Sequence, residues 1–554
     1  MPINFGSPLR VPPASRESQL ILNPIGGVNS SDAPTDIDPG QSPSCDNMIF
    51  RYGTMEPRPC LTSKGTNPQP FHGPILGGFD STDVRGANYP VVSGQTQFAW
   101  YTGGGWSLLS YVSSFGLNAP PNAGANDYWD SAQIYDANTD QMMVVFANNS
   151  YQTLYCWDSG TSVFSTMTGA PMAKTLDVYD NYILAGNIAS GNSIYVQRIQ
   201  WNDRGSASSW TGGLSGFEDL LAMHGEINRV MGQENRVVIL GDQEVWQGIE
   251  AAYPDIFSFQ PLDRNIGCPY PWTAAITPAG IFFLGRDLQI YWLSKFGGPA
   301  QPVGHRVLKV LRDTITNPER AFAVYDSMYN EYQLYYAINS GTGYPQRALF
   351  LNIAEATRTL GSQYQVTEAG SWAPQSFDLP GGSISLTRGF DALNPVSSGT
   401  SWGGCGTLTW AQASQTWGQM GGTTTNRAVH LGTSTGTIAY LSGTVNSDFS
   451  GVAVQARWRS LAYSGYEPTK EKTITEVRLD YQADSSSSMT LRVSTDQGGT
   501  FGPGIALNLP VCSQESQTRA FPYSSARYPC IEVLSEGQRW RLMRIWTNMR
   551  VTGR

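Results

Sequence analysis

Charge is scarce in this chain: Asp, Glu, Lys and Arg make up 14% of its 554 residues. Long amphipathic patterns of 3.6-residue period are nearly absent, which excludes a helical bundle. Only residues 317–324 are expected to form a short helical turn. No apolar run approaches the roughly 18 residues of a membrane-crossing helix. The first fifteen residues, MPINFGSPLRVPPAS, lack the apolar core of a secretory signal, so a soluble protein made in a cytoplasm is expected. Seven cysteines form no CxxC pair; free buried thiols are expected, with Cys45–Cys60 and Cys512–Cys530 left open as late disulfides. Four histidines (His72, His224, His305, His430) have no i, i+4 partner and no HExxH spacing, so no metal or cofactor is expected. There is no P-loop. The GTSTG at 432–436 fits G-x-S-x-G, but strands flank it on both sides, so Ser434 reads as a turn serine rather than a nucleophile.

Turn formers and rings are abundant instead: 59 glycines and 12% aromatic residues. With few charges, this mix belongs to an all-β protein of short strands, long enough for two or three domains. One strand–turn–strand phrase occurs twice, at 228–249 and 272–293. Each has an apolar, β-branched run, a Gly and an acid, then a second strand carrying Trp246 or Trp292. Similar hairpins recur at 97–112, 141–157, 180–201, 331–353 and 428–441. Taking Met142, Tyr182, Val237, Ile281 and Tyr332 as equivalent positions gives spacings of 40, 55, 44 and 51 residues. Such a period, with several strands per unit, predicts a β-propeller of about six or seven irregular blades over residues 91–445.

Around it, residues 1–90 read as an extended N-terminal arm with too few periodic apolar positions to fold alone. Residues 446–554 alternate apolar and polar, as in a C-terminal β-sandwich-like domain. A Gly/Ser/Thr-rich stretch at 361–422 reads as an insertion. Its Trp402, Trp410 and Trp417 are the candidate interaction residues, with packing among themselves as the other reading. In STDQGGTF (494–501) Asp496 is expected to bond turn amides while Gly498 and Gly499 take positive φ. The formal net charge of −9 speaks against a protein that grips nucleic acid.

In the arm, Gly26 to Asn29, Ile37, Pro39, Gly40, Ser42, Pro43, Asn47, Met48, Gly53, Arg58 and Pro59 form an ordered series of motifs that resembles the tail nozzle proteins of short-tailed bacteriophages, also called tail hub or packaged-DNA stabilisation proteins. Cys60 departs from the family, which often has Gly there. In the centre they are Trp201, Asn202 and Asp203 with Ser209 and Trp210, the run from Val238 to Trp246, Gly267, and the run from Phe282 to Gly285. The Asp-box-like hairpin at 494–501, followed by Arg-rich strands, completes the resemblance. It implies a structural, non-catalytic ring in the virion, a homo-hexamer assembled in the bacterial cytoplasm. Its partners would be a tail adaptor, with fibres or spikes as further candidates. Double-stranded DNA would be retained and later pass through the lumen without tight binding. The competing reading is a glycan-binding or sialidase-like propeller enzyme, since sialidase propellers carry several Asp-boxes; here there is one clear copy, outside the blades.

Overall fold

The computed structural model describes residues 17–551, apart from 65–70, 72, 104, 113–119, 252, 254, 340–341, 361–362, 367–370, 380–381, 397–423, 444–446, 449–450 and 465–467. The chain divides into two compact units, 59–452 and a second made of 1–58 with 453–554. The fold is all-β, and the larger unit is a propeller of seven sheets.

Blade one has its four strands at Gly77–Thr82, Asn88–Ser93, Phe98–Tyr101 and Trp106–Leu108, and blade two at Trp129–Asp136, Gln141–Asn148, Tyr155–Asp158 and Val163–Thr166. Blade three follows at Met172–Tyr179, Tyr182–Ser190, Ser193–Trp201 and Gly216–Asp219. Blade four runs Ile227–Gln233, Arg236–Gly241, Val245–Glu250 and Phe257–Asp263, and blade five Ala275–Thr277, Gly280–Leu284, Ile290–Ser294 and Gln301–Pro302. Blade six is Phe322–Asp326, Glu331–Ile338, Arg347–Asn352 and Trp372–Ser376. Blade seven joins both ends of the unit: Leu386–Val396, Thr424–Thr433 and Ile438–Ser442 are completed by Cys60–Ser63, which pairs antiparallel with Ile438–Ser442. That pairing fastens the start of the unit to its end. It also removes the exposed sheet edge that an open ring would leave.

The second strands are the most apolar; all five residues of Gly280–Leu284 and all six of Arg236–Gly241 are buried. Both faces of a blade are covered by its neighbours, so the alternation of a half-exposed strand disappears. Ile183 and Ala185 pack with Val145 and Ala147 between blades two and three, and Leu184 with Val230 and Val237 between three and four. Leu240 meets Phe283 between four and five. Tyr332 of blade six stacks on Phe282 of blade five and donates its hydroxyl to the Thr273 carbonyl at 2.8 Å. Phe390 of blade seven packs with Val92 of blade one, and a Cβ on Gly78 would overlap the Phe390 ring.

Three sequence expectations change. The boundary expected at 90 falls inside blade one, within its second strand Asn88–Ser93, which pairs with Gly77–Thr82. The expected insertion at 361–422 contains two blade strands, Trp372–Ser376 and the start of blade seven at Leu386–Val396. Gly389 and Pro395 broke the strand signal there. The ten-residue helix His305–Thr314 was not anticipated, although Val307 and Leu311, four residues apart, are its buried pair. Residues 318–320 form the expected short turn as a 3-10 helix.

The second unit has two antiparallel sheets. In one, Lys472–Ala483 lies between Arg541–Val551 and Cys512–Ala520; in the other, Cys530–Glu536 lies between Gln455–Arg459 and Ser487–Ser494. The arm is part of both. Glu17–Leu22 pairs with Arg541–Val551 over six residues, Thr54–Pro57 pairs with the same strand, and Cys45–Asp46 pairs with Gln455–Arg459. The six described cysteines are all free; Cys405 lies outside the described residues. No helix among the described residues is long and apolar enough to cross a membrane.

Candidate functional site

The arm motifs occupy positions that demand their residue types. The Gly26 amide donates to the Gly40 carbonyl at 2.9 Å, and a Cβ on Gly40 would sit 2.6 Å from the Asn23 carbonyl oxygen. Buried Asn29 donates to Gln41 at 2.9 Å and to Asp32 at 2.8 Å. Asn47 takes a left-handed conformation (φ 55°), which Asn tolerates better than most residues. Its amide donates to the Gln455 carbonyl at 2.7 Å, while its oxygen accepts from Arg58 Nε at 3.0 Å. Arg58 is 1% exposed. A buried guanidinium held by a side chain that also grips a strand 408 residues away couples the arm to the C-terminal sheets.

The face of the sheet containing Gln455–Arg459 is concave, with a groove of about 940 Å³ lined by Arg457, Arg459, Arg492, Glu532, Thr490 and Phe501 among others. Arg459 bonds Glu532 at 2.8 Å and lies over the Phe501 ring; Arg492 is 3.8 Å from the same carboxylate. The turn at 494–501 closes nearby in sequence. Asp496 accepts from the Thr500 amide and hydroxyl, both at 2.7 Å, and from the Ser494 hydroxyl. These bonds hold its carboxyl down to about 2. Positive φ falls on Gln497 (63°) and Gly498 (92°), not on Gly499 as expected. Asp496 therefore holds a turn.

Other candidates resolve as structure. Ser434 lies in the hairpin between the second and third strands of blade seven, with Gly436 at φ 83°. His224 bonds Glu244 and His430 is buried beside Lys64. Among the described residues no cluster of three His, Cys, Asp or Glu side chains is placed to hold a metal. Trp402, Trp410 and Trp417 lie outside the described residues. Of the C-terminal arginines, Arg541 reaches Glu56 and Asp484, at 3.3 and 3.7 Å, and Arg544 and Arg550 are exposed.

The residues that sequence reasoning passed over sit where the innermost strands converge. Asp130 (blade two) accepts from the Thr175 hydroxyl of blade three at 2.7 Å and lies 3.7 Å from Arg229 of blade four. Half-buried Asp177 accepts from the Gly232 amide at 2.8 Å; burial, with Asp130 adding to it, pulls its carboxyl up to about 7. Arg388 of blade seven lies 4.0 Å from the Trp272 ring centre of blade five. Nothing in the local sequence marks them, since the ring alone brings them together.

No protein-family model matches the chain, and no curated protein matches it. Solved structures similar to it include the WD40 domain of Neurospora crassa Pan2, 8% identical over 70% of this chain and 96% of that one, with a TM-score of 0.35. Another is a glycoside hydrolase family 43 arabinoxylan arabinofuranohydrolase from Bacillus subtilis in complex with cellotetraose. It is 10% identical over 94% of this chain and 98% of that one, with a TM-score of 0.22. At these scores nothing about activity or partners passes to this chain.

Proposed function

We propose that the protein is a structural tail nozzle component of a short-tailed phage, assembling as a ring that retains packaged DNA and conducts it on ejection. The observation that carries the reading is the arm. The residues that resemble the nozzle family there hydrogen-bond one another (Gly26 with Gly40, Arg58 with Asn47), and buried Asn47 bonds the C-terminal strand at Gln455. The arm motif is thus tied to the C-terminal strands. The task is steric: the lumen belongs to the ring of copies, and an acidic chain of net charge −9 does not hold a polyanion. A tail adaptor and fibres or spikes are its partners, and the groove beside Arg459 and Arg492 is a surface available to them. The test is assembly onto adaptor-bearing particles, seen by electron microscopy.

A second reading, a glycan-directed propeller, draws on one observation: burial raises the Asp177 carboxyl to about 7. Hydrolysis of aryl sialosides or arabinosides, lost in Asp177→Asn, would favour it over the structural role.

A further inference from the structure

We propose that the axial mouth of the propeller binds a small oxyanion, a carboxylate or phosphate group, between Arg388, Arg229 and the Tyr128 hydroxyl. The proposal is independent of the tail reading.

Place comes first. Tyr128 and Asp130 stand at the start of blade two's innermost strand, Arg229 at that of blade four and Arg388 at that of blade seven. Trp272 just precedes blade five's. Arg388 lies over Trp272 (4.0 Å) and Tyr128 (5.7 Å), and Arg229 over the same Trp272 (5.4 Å). Only the axis of a seven-bladed ring lies within reach of blades two, four, five and seven together. All these residues are near the beginnings of inner strands, so they share one mouth of the channel.

Both arginines follow a register shift in their strands, between Ile227 and Arg229 and between Leu386 and Arg388. A bulge re-aims the side chain behind it, and bulges gather at functional sites. Two blades thus break their ladders at matching positions, each presenting a guanidinium.

Several buried donors there lack an acceptor. Arg388 is 8% exposed and makes no hydrogen bond or ion pair among the described residues. Burial and then neighbouring Arg229 pull its guanidinium down to about 9, against smaller opposing pulls from Asp130 and Tyr128. The Arg229 Nε and the Tyr128 hydroxyl are also buried without partners. Arg229 is fixed from the other side, its Nη1 donating to the Pro271 and Ala274 carbonyls at 3.1 and 2.7 Å. Asp130 pairs ionically with Arg229 but hydrogen-bonds none of these donors. One of its oxygens is taken by the Thr175 hydroxyl, and the other stands 3.7 Å from Arg229, too far for a hydrogen bond. An unpaired buried cation is expensive, and a planar fork on an aromatic floor suits an oxyanion.

The test uses the purified full chain at constant ionic strength, with chloride as reference and inorganic phosphate, sulfate or acetate added. Thermal melting and calorimetric titration are the readouts. We expect saturable stabilisation by phosphate and sulfate if the natural group is a phosphate, and by acetate if it is a carboxylate. Tyr128→Phe should melt in chloride no lower than wild type, because its hydroxyl has no protein partner, yet bind the anion about tenfold more weakly. Arg388→Met should weaken binding about a hundredfold or more; should it misfold, Tyr128→Phe still decides. Equal melting in all four salts, or wild-type affinity in Tyr128→Phe, would overturn the site and leave the mouth filled by water.

Discussion

Lys64 and His430 share one buried hydrogen bond: the lysine ammonium lies 2.7 Å from the imidazole Nε2. The ring's Nδ1–H donates to the Ala428 carbonyl at 2.9 Å, so Nε2 is the acceptor and the histidine is neutral. Burial, with the Lys64 charge adding to it, holds His430 well below the usual imidazole range; burial brings Lys64 down to about 8. Lys64 also reaches the Leu393 carbonyl at 3.2 Å and lies over the Tyr101 ring, on the seam between blades seven and one.

The sign of the pH effect follows. A base whose folded pKa is depressed binds more protons when unfolded, so stability falls as pH drops through the unfolded value near ~6.5 for histidine. The lysine part accumulates between its ordinary value of 10.5 and about 8 and is constant below that. Urea unfolding at pH 7 and pH 5 should therefore show a larger acid loss in wild type than in His430→Gln. The difference should approach about 1.4 kcal/mol per pH unit below the unfolded histidine pKa. Parallel pH profiles would mean that the histidine carries a proton in the folded chain.

The same seam is sensitive to volume. Gly78 has no positive φ, so its smallness is required by the close approach of the Phe390 ring. Gly78→Ala should destabilise the propeller by about 1–3 kcal/mol through overpacking. Adding Phe390→Leu should recover part of that loss. Chemical denaturation of the two variants checks it, and an additive double variant would show the contact to be unimportant.

The propeller was legible because its five second strands repeat. Met142, Tyr182, Val237, Ile281 and Tyr332 each lie in the second strand of successive blades two to six. A strand buried on both faces writes itself as an unbroken apolar run. Blade one and blade seven were blurred for physical reasons. The first strand of blade one is Gly77–Thr82, with few apolar residues, and blade seven is split between chain ends, so no local pattern announces it. The axial residues were invisible for a related reason. Arg229 and Arg388 are single charges in ordinary strand contexts, and their meaning comes from the ring that faces them toward each other.

The unit boundary after Arg58 makes the arm separable from the propeller, though not from the C-terminal sheets it joins. Removing residues 1–58 should leave the propeller's thermal transition within a few degrees while uncovering the strand Arg541–Val551 along Glu17–Leu22. Removing 1–63 should instead open the ring, because Cys60–Ser63 is blade seven's outer strand. Circular dichroism melts distinguish the two truncations; equal loss in both would place the boundary elsewhere.

Affinity for double-stranded DNA should be weak even at low salt. The chain carries a net −9, and Arg541, among the C-terminal arginines, is engaged by Glu56 and Asp484. Each phosphate contact adds to the slope of log K against log salt, so few contacts give a shallow line. Fluorescence anisotropy with a labelled duplex reads it. Tight and steeply salt-dependent binding would argue against free passage of DNA.

The proposed role places a ring of this protein at the end of a phage tail, and electron microscopy of the purified chain mixed with adaptor-bearing particles would show it. Added density of six-fold symmetry is expected at the distal end of the adaptor, absent when residues 1–58 are removed. Particles whose tails stay unchanged at saturating protein would contradict it.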